Sequence, residues 1–306
     1  MIYAGMADQL DDLASLIAEK ALERLRAGRI GREQPGCGPV TPADQAKECN
    51  PGGCSPCEEH LLCGARALHE LGTARLTPLA IRTSRDLAPY IDHTLLRADA
   101  TRDDLVKLCD EARRWGFATV CVNSGNVALC ARLLEGCSTR PIAVVGFPLG
   151  AAATGAKVFE AREAIRAGAA EIDMVINIGQ LKAKNYGYVE CDIREVVQAA
   201  RPRPVKVILE TGALTRDEKV IGCALAKAAG AAFVKTSTGF GPGGATVEDV
   251  ALMREIVGED VGVKASGGVR TAADARRLVE AGANRLGASA SVAIVTGMSA
   301  VSGVKY

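Results

Sequence analysis

From about residue 90 the chain alternates between two hydrophobic patterns. Short runs dominated by apolar residues recur near Ile91 and at Ala118–Val122, Ile142–Gly146, Glu171–Ile176, Val205–Glu210, Ala232–Lys235, Gly262–Lys264 and Arg285–Gly287. Their length and their Gly- and Pro-containing borders predict buried strands. Between them lie the longer amphipathic stretches Asp103–Trp115, Asn126–Glu135, Ala156–Ala167, Val189–Ala200, Asp217–Ala229, Val247–Val257, Ala272–Ala281 and Val292–Gly297, which predict helices. Eight strands alternating with eight helices predict an α/β chain folded as a (β/α)8, or TIM, barrel. An Ala-Gly-Ala refrain at Ala167-Gly168-Ala169, Ala229-Gly230-Ala231 and Ala281-Gly282-Ala283 marks helix ends turning back into strands.

Upstream the pattern changes. Residues 8–27 place Leu10, Leu13, Ile17, Ala21 and Leu25 on one helical stripe, with Asp11, Asp12, Ser15, Glu19, Glu23 and Arg26 opposite. Acidic residues come early and Lys20, Arg24 and Arg26 late, in keeping with the helix dipole, and Gly28 is a natural stop. A Gly- and Pro-rich stretch follows. The expected organisation is an amphipathic helix in residues 1–28, a Cys-rich linker in 29–84 and a barrel domain in 85–306. The helix either docks on its own barrel or dimer, or fits the groove of another protein.

Bulk composition narrows the classes. The 306 residues suit one barrel of about 250 residues with an appendage. An apolar fraction of 48% with only 4% aromatics implies a core of Ala, Val, Ile and Leu. A net charge of +1 gives no electrostatic case for nucleic acid or an anionic membrane. The apolar runs fall short of the roughly 20 residues of a membrane span, and the acidic N-terminus does not read as a signal peptide, so a cytoplasmic protein is expected.

Candidate chemistry sits where charges interrupt buried runs. In Phe233-Val234-Lys235-Thr236-Ser237-Thr238-Gly239-Phe240 a lysine stands at the end of an apolar strand, before a glycine-ended loop. The stretch Val261-Gly262-Val263-Lys264-Ala265-Ser266-Gly267-Gly268 repeats that grammar. Neighbouring cations and a dry pocket both lower a lysine's pKa and leave an amine able to attack a carbonyl. Asp173, within Glu171-Ile172-Asp173-Met174-Val175-Ile176-Asn177, is a third charge inside a buried strand. Nucleophile, pKa-setter and proton shuttle are the parts of Schiff-base chemistry.

These stretches, with Tyr90-Ile91-Asp92-His93-Thr94-Leu95-Leu96, Thr119-Val120-Cys121-Val122-Asn123, Val145-Gly146-Phe147-Pro148-Leu149-Gly150 and Lys206-Val207-Ile208-Leu209-Glu210-Thr211-Gly212, resemble the deoxyribose-phosphate aldolase family from about residue 90 to Gly297. The resemblance implies a class I aldolase that cleaves 2-deoxy-D-ribose 5-phosphate reversibly to glyceraldehyde 3-phosphate and acetaldehyde. It makes Lys235 the Schiff-base lysine, Lys264 the second lysine, Asp173 a member of the proton relay and Asp92 its support. It places phosphate at Gly239, Gly267, Gly268, Gly287, Ser289 and Thr238. Two departures concern the phosphate: Phe240 stands where some relatives carry a lysine, and Ala290 where a second serine is common. No cofactor is expected for catalysis, and a homo-oligomer is expected. A metal-dependent aldolase is disfavoured because His93 is the barrel region's only histidine. A class I aldolase with another aldehyde donor, or a non-catalytic cargo or scaffold protein, are the alternatives.

The extension lies outside that resemblance. A terminal amphipathic helix tethered to an aldehyde-handling enzyme resembles the encapsulation peptides of bacterial microcompartment cargo, which implies a shell-protein partner for residues 8–27. The linker holds Cys37 and then Cys49, Cys54, Cys57 and Cys63, with His60 among them. The Cys54-x2-Cys57 spacing is a chelating one, so an iron–sulfur cluster or zinc on Cys49, Cys54, Cys57 and Cys63 is expected, His60 being able to replace one thiolate. Reduced exposed thiols or a disulfide clip are the alternative. Cys109, Cys121, Cys130, Cys137, Cys191 and Cys223 are scattered through the predicted elements and read as reduced core residues.

Overall fold

The computed structural model describes residues 81–298, so the predicted N-terminal helix and the Cys49–Cys63 cluster lie outside the described residues. Eight strands, β1 (Ile91–Leu95), β2 (Thr119–Asn123), β3 (Arg140–Val145), β4 (Ile172–Val175), β5 (Val205–Ile208), β6 (Phe233–Lys235), β7 (Gly262–Ser266) and β8 (Arg285–Ala288), close into a parallel barrel in sequence order. The helices between them are α1 (Arg102–Trp115), α2 (Val127–Leu133), α3 (Thr154–Arg166), α4 (Ile178–Lys182), α5 (Tyr186–Ala200), α6 (Arg216–Ala228), α7 (Val247–Val257), α8 (Ala272–Glu280) and α9 (Ser291–Thr296). The expected barrel is thus present, with α4 as an additional short helix after β4.

Local chemistry sets the helix boundaries. Thr101 and Asp104 form a reciprocal capping box at the start of α1, as do Thr215 and Glu218 at α6, while Thr246 and Thr271 cap α7 and α8. The refrain glycines Gly168, Gly230 and Gly282 all adopt positive φ, at 109°, 84° and 113°, as the helix-to-strand turns require.

Side chains alternate along each strand. The outward residues Val120, Val122, Ala143, Val145, Ile172, Met174, Val205, Val207, Val234, Val263, Ala265 and Leu286 join the helices in one large apolar core. The inward set is different. Cys121, Ile142 and Val144 form a small apolar cluster with Leu96. The interior also holds a charged set: Asp92, Glu171, Asp173, Lys206, Lys235, Lys264 and Arg285 are all buried. The register sets Asp173 beside Lys206, Lys235 beside Lys264, and Lys264 beside Arg285.

Phe233 floors this charged layer, its ring 5.7 Å from Lys206 Nζ and 5.8 Å from the Arg285 guanidinium carbon. A second buried pair braces the wall behind β4. Lys157 of α3 donates to Asp192 of α5 at 2.6 Å and to the Val175 carbonyl at 3.1 Å. Cys109, Cys121, Cys130, Cys137 and Cys223 carry free thiols as expected. Cys191 is disulfide-bonded, a departure that burial alone does not anticipate.

The Phe233 floor generates a stability prediction. A methyl carbon at Gly262 would lie 2.1 Å from the Phe233 ring, although the backbone there suits any residue. Gly262→Ala is expected to lower stability by about 1–3 kcal/mol through overpacking, read as a fall in the denaturant midpoint at unchanged slope. An unchanged midpoint would show that the ring moves aside at no cost.

Candidate active site

Strands β1, β4, β5, β6, β7 and β8 each contribute an inward charge to one network. Asp173 is its centre. Asp173 Oδ1 accepts from Lys206 Nζ at 2.8 Å, and its Oδ2 accepts from both Lys235 Nζ at 2.9 Å and Lys264 Nζ at 2.7 Å. Lys264 is also paired with Asp92 Oδ2. Asp92 Oδ1 in turn accepts from Arg285 at 2.7 Å and from the Thr119 hydroxyl at 2.6 Å. Glu171 closes the base of the network, paired with Lys206 and with Arg285 Nη2 at 3.3 Å.

The sums differentiate the lysines. Lys206, Lys235, Lys264 and Arg285 are four cations facing the three carboxylates Asp92, Glu171 and Asp173. One proton can therefore leave with the layer becoming neutral. Burial pushes the Lys235 amine below the ordinary lysine value; Asp173 opposes this only in part, and Lys264 adds to it. Lys264 suffers the same burial, but Asp173 and Asp92 together hold it above that value. Burial would raise Asp173, yet Lys206, Lys235 and Lys264 keep it well below the usual carboxylate range. Burial would likewise raise Asp92, and Arg285 and Lys264 keep it low. The arrangement thus makes Lys235 the more readily deprotonated of the two lysines, with Lys264 held charged and one anion touching both.

Lys235 is 2% exposed and sits at the C-terminal end of β6, the end on which barrel enzymes carry their chemistry. Burial raises the Cys121 thiol inside the same enclosure, keeping it protonated. Among the expected phosphate residues, Gly239, Gly267 and Gly268 adopt positive φ of 87°, 92° and 77° in the turns after β6 and β7. A methyl carbon at Gly287 would lie 2.2 Å from Ser266 Oγ and 3.2 Å from Lys264 Cε, so that glycine leaves room for the second lysine. Ser289 is half-buried just past β8. The Thr238 hydroxyl is committed within its own loop: it pairs with Glu210 and accepts from the backbone of Phe240 at 3.0 Å and Gly241 at 3.3 Å. Phe240 is 48% exposed and meets Phe147 edge-on at 5.3 Å, which makes one lip of the mouth apolar.

Lys235, Lys264, Asp173 and Asp92, chosen from sequence, come together in direct contact. Sequence reasoning did not single out Lys206, Glu171, Arg285 or Glu210. A signal was present for three of them: Glu171 lies two residues before Asp173, and Lys206 and Arg285 occupy the same inward parity in their strands.

Known proteins resemble this chain over most of the barrel. The DeoC/LacD family of aldolases matches residues 87–304. The deoxyribose-phosphate aldolase of Thermoanaerobacter sp. (strain X514) is 58% identical over 213 residues, covering 69% of this chain and 96% of the relative. That of Thermococcus gammatolerans is 56% identical over 216 residues, covering 69% and 96%. The tetrameric deoxyribose phosphate aldolase of Aeropyrum pernix superimposes with a TM-score of 0.65 at 31% identity, over 79% of this chain and 97% of that one.

The network yields a prediction of its own. Lys206→Met leaves Glu171 and Asp173 with one cation fewer in a buried site, a loss of about 3–5 kcal/mol at neutral pH. Asp173, deprived of a cation that lowers its pKa, then takes up its proton at a higher pH than in the intact protein. The cost is therefore fully present at pH 7 and fades as acid protonates that carboxylate. Chemical denaturation across the acid range checks both magnitude and sign; a loss that grows on acidification would contradict the pairing.

Proposed function

The chain belongs to the DeoC/LacD family of aldolases, and from that membership we propose how its charged interior performs the family's chemistry. Its reaction is the reversible cleavage of 2-deoxy-D-ribose 5-phosphate to glyceraldehyde 3-phosphate and acetaldehyde. The observation that supports the residue roles is the single oxygen, Asp173 Oδ2, shared by Lys235 and Lys264.

In our reading the neutral Lys235 amine attacks the C1 aldehyde of the open-chain sugar. Lys264 supplies, by way of the Asp173 carboxylate it touches, the proton that lets the carbinolamine oxygen leave as water, and a protonated imine remains. The imine is the electron sink, so catalysis draws on no cofactor. A base removes the proton of the C3 hydroxyl, the C2–C3 bond breaks, and its electron pair moves toward nitrogen to give an enamine. The C3–C5 fragment departs as glyceraldehyde 3-phosphate. Protonation of the enamine at C2 and hydrolysis of the imine then release acetaldehyde and restore Lys235. Asp92 supports the relay by keeping Lys264 charged. The turns at Gly239, Gly267 and Gly268, with Gly287 near the end of β8 and Ser289 just past it, hold the 5-phosphate by backbone amides and a hydroxyl.

No helix among the described residues is long and apolar enough to cross a membrane, and we infer a cytoplasmic homo-oligomer, in line with the tetrameric Aeropyrum pernix relative. For the extension we propose a helix in residues 8–27 that binds a microcompartment shell protein, and an iron–sulfur cluster or zinc on Cys49, Cys54, Cys57 and Cys63. Both rest on the sequence patterning alone.

Borohydride reduction in the presence of acetaldehyde is expected to fix a two-carbon adduct on Lys235, and Lys235→Ala to abolish both adduct and turnover. The rate should rise with pH through a titration below the ordinary lysine value of about 10.4, because burial lowers Lys235. An adduct on Lys264 with Lys235 unmodified would reverse the two roles. For the extension, a chain lacking residues 1–80 should remain active, and Leu13→Asp with Ile17→Asp should abolish shell association at unchanged kinetics. Metal analysis of anaerobically purified protein should find iron and sulfide, or zinc; metal-free protein with reactive thiols would remove that assignment.

A further inference from the structure

Glu210 has a backbone conformation at odds with its side chain. It follows β5 with φ 60° and ψ 62°, in the left-handed region that glycine and asparagine favour. Its side chain is nevertheless buried, 4% exposed, and directed at the loop that follows Lys235. Glu210 Oε2 accepts from the Thr238 backbone N–H at 3.2 Å and from the Thr238 hydroxyl. That hydroxyl oxygen accepts in turn from the amides of Phe240 and Gly241. One carboxylate oxygen thus organises four consecutive residues.

The loop is seated on both sides by close approaches that need glycine. A methyl carbon at Gly241 would lie 2.6 Å from Glu210 Cδ, and one at Gly212 would lie 1.9 Å from the Pro242 carbonyl oxygen. On the far side, Ala245 N donates to the Gly267 carbonyl at 2.9 Å, and a methyl carbon at Gly244 would lie 2.5 Å from that oxygen. Any displacement of the Thr238–Ala245 segment is therefore transmitted to the Gly267-Gly268 turn. A strained residue held by a buried polar contact beside a reactive centre is a pattern that calls for a functional explanation.

We propose that Glu210 is a positioning residue for the phosphate end of the substrate, fixing the Thr238–Gly241 turn and, through it, the Gly267-Gly268 turn. The proposal rests on the aldolase reading above. Glu210 is no part of the Asp173 network, so imine chemistry does not depend on it. Glu210 Oε1 has no hydrogen-bond partner among the described residues; the side chain acts through one oxygen, which the carbonyl of a glutamine can replace.

The test compares the full chain with Glu210→Gln, Glu210→Asn and Glu210→Gly. Asparagine and glycine suit the backbone, so they remove the contact without adding strain; asparagine is one methylene too short to reach Thr238. Glu210→Asn and Glu210→Gly are expected to raise KM for 2-deoxyribose 5-phosphate about tenfold or more, and Glu210→Gln to stay within about threefold. KM for unphosphorylated 2-deoxyribose, the melting temperature, and borohydride trapping of acetaldehyde on Lys235 should be unchanged in all three. An unaltered KM for the phosphorylated sugar in Glu210→Gly, or an equal rise for both sugars with a fall in melting temperature, would overturn the proposal. Absence of trapping in the unsubstituted protein would instead overturn the aldolase reading on which it rests.

Discussion

One oxygen atom, Asp173 Oδ2, faces two lysine ammonium positions less than 3 Å away. Two protonated lysines around one anion oxygen, with little water to screen them, repel each other and offset part of what the anion gives either. Whichever lysine has the poorer supply of other anions is the one that gives up its proton. Among the described residues, Lys264 pairs with Asp92 as well as Asp173, while Lys235 pairs with Asp173 alone. The opposite shifts of two chemically identical side chains thus follow from where β1 puts one aspartate.

The remaining members of the layer make that arrangement tolerable. Removing an ion from water costs several kcal/mol, which pairing recovers only when geometry is good. Lys206 and Arg285 supply the compensating charge for Glu171 and Asp92, and Phe233 lays an aromatic face against both cations. An apolar layer of the same volume would be as stable or more so. Charge in the middle of a barrel that is otherwise built from Val, Ile, Leu and Ala is therefore an expense incurred for reactivity, and the large apolar shell outside the strands carries the fold.

Legibility in the sequence divided along the same line. The barrel was readable because its outer positions follow the two periodicities without interruption, and the refrain glycines occupy the positive-φ turns expected of them. Lys235, Lys264 and Asp173 were readable because each is a charge in an apolar run, and Asp92 through the family resemblance of its motif. Lys206 and Arg285 carry the same signal but stand toward the start of their strands, deeper from the mouth, where a charge suggests packing more readily than chemistry. The end of β5 at Ile208, two residues before the predicted Glu210, was not readable at all. Nothing in the residue type announces a left-handed glutamate, whose side chain is held by a loop 28 residues further along the chain.

That long-range contact also explains how one site can serve both ends of a substrate. The carbonyl end requires fixed charges in a dry layer, and strands provide them because hydrogen-bonded register admits little play. The phosphate end requires backbone amides, which strands have already spent on one another and which only turns can offer. The chain meets the two demands within a single stretch: Lys235 closes β6, and three residues later Thr238 begins a turn clamped by Glu210 on one flank and Gly267 on the other. Because strand and turn are consecutive, the distance between the proposed nucleophile and the proposed phosphate site is set by the backbone itself. The lip beside that turn is apolar, with Phe240 set edge-on against Phe147.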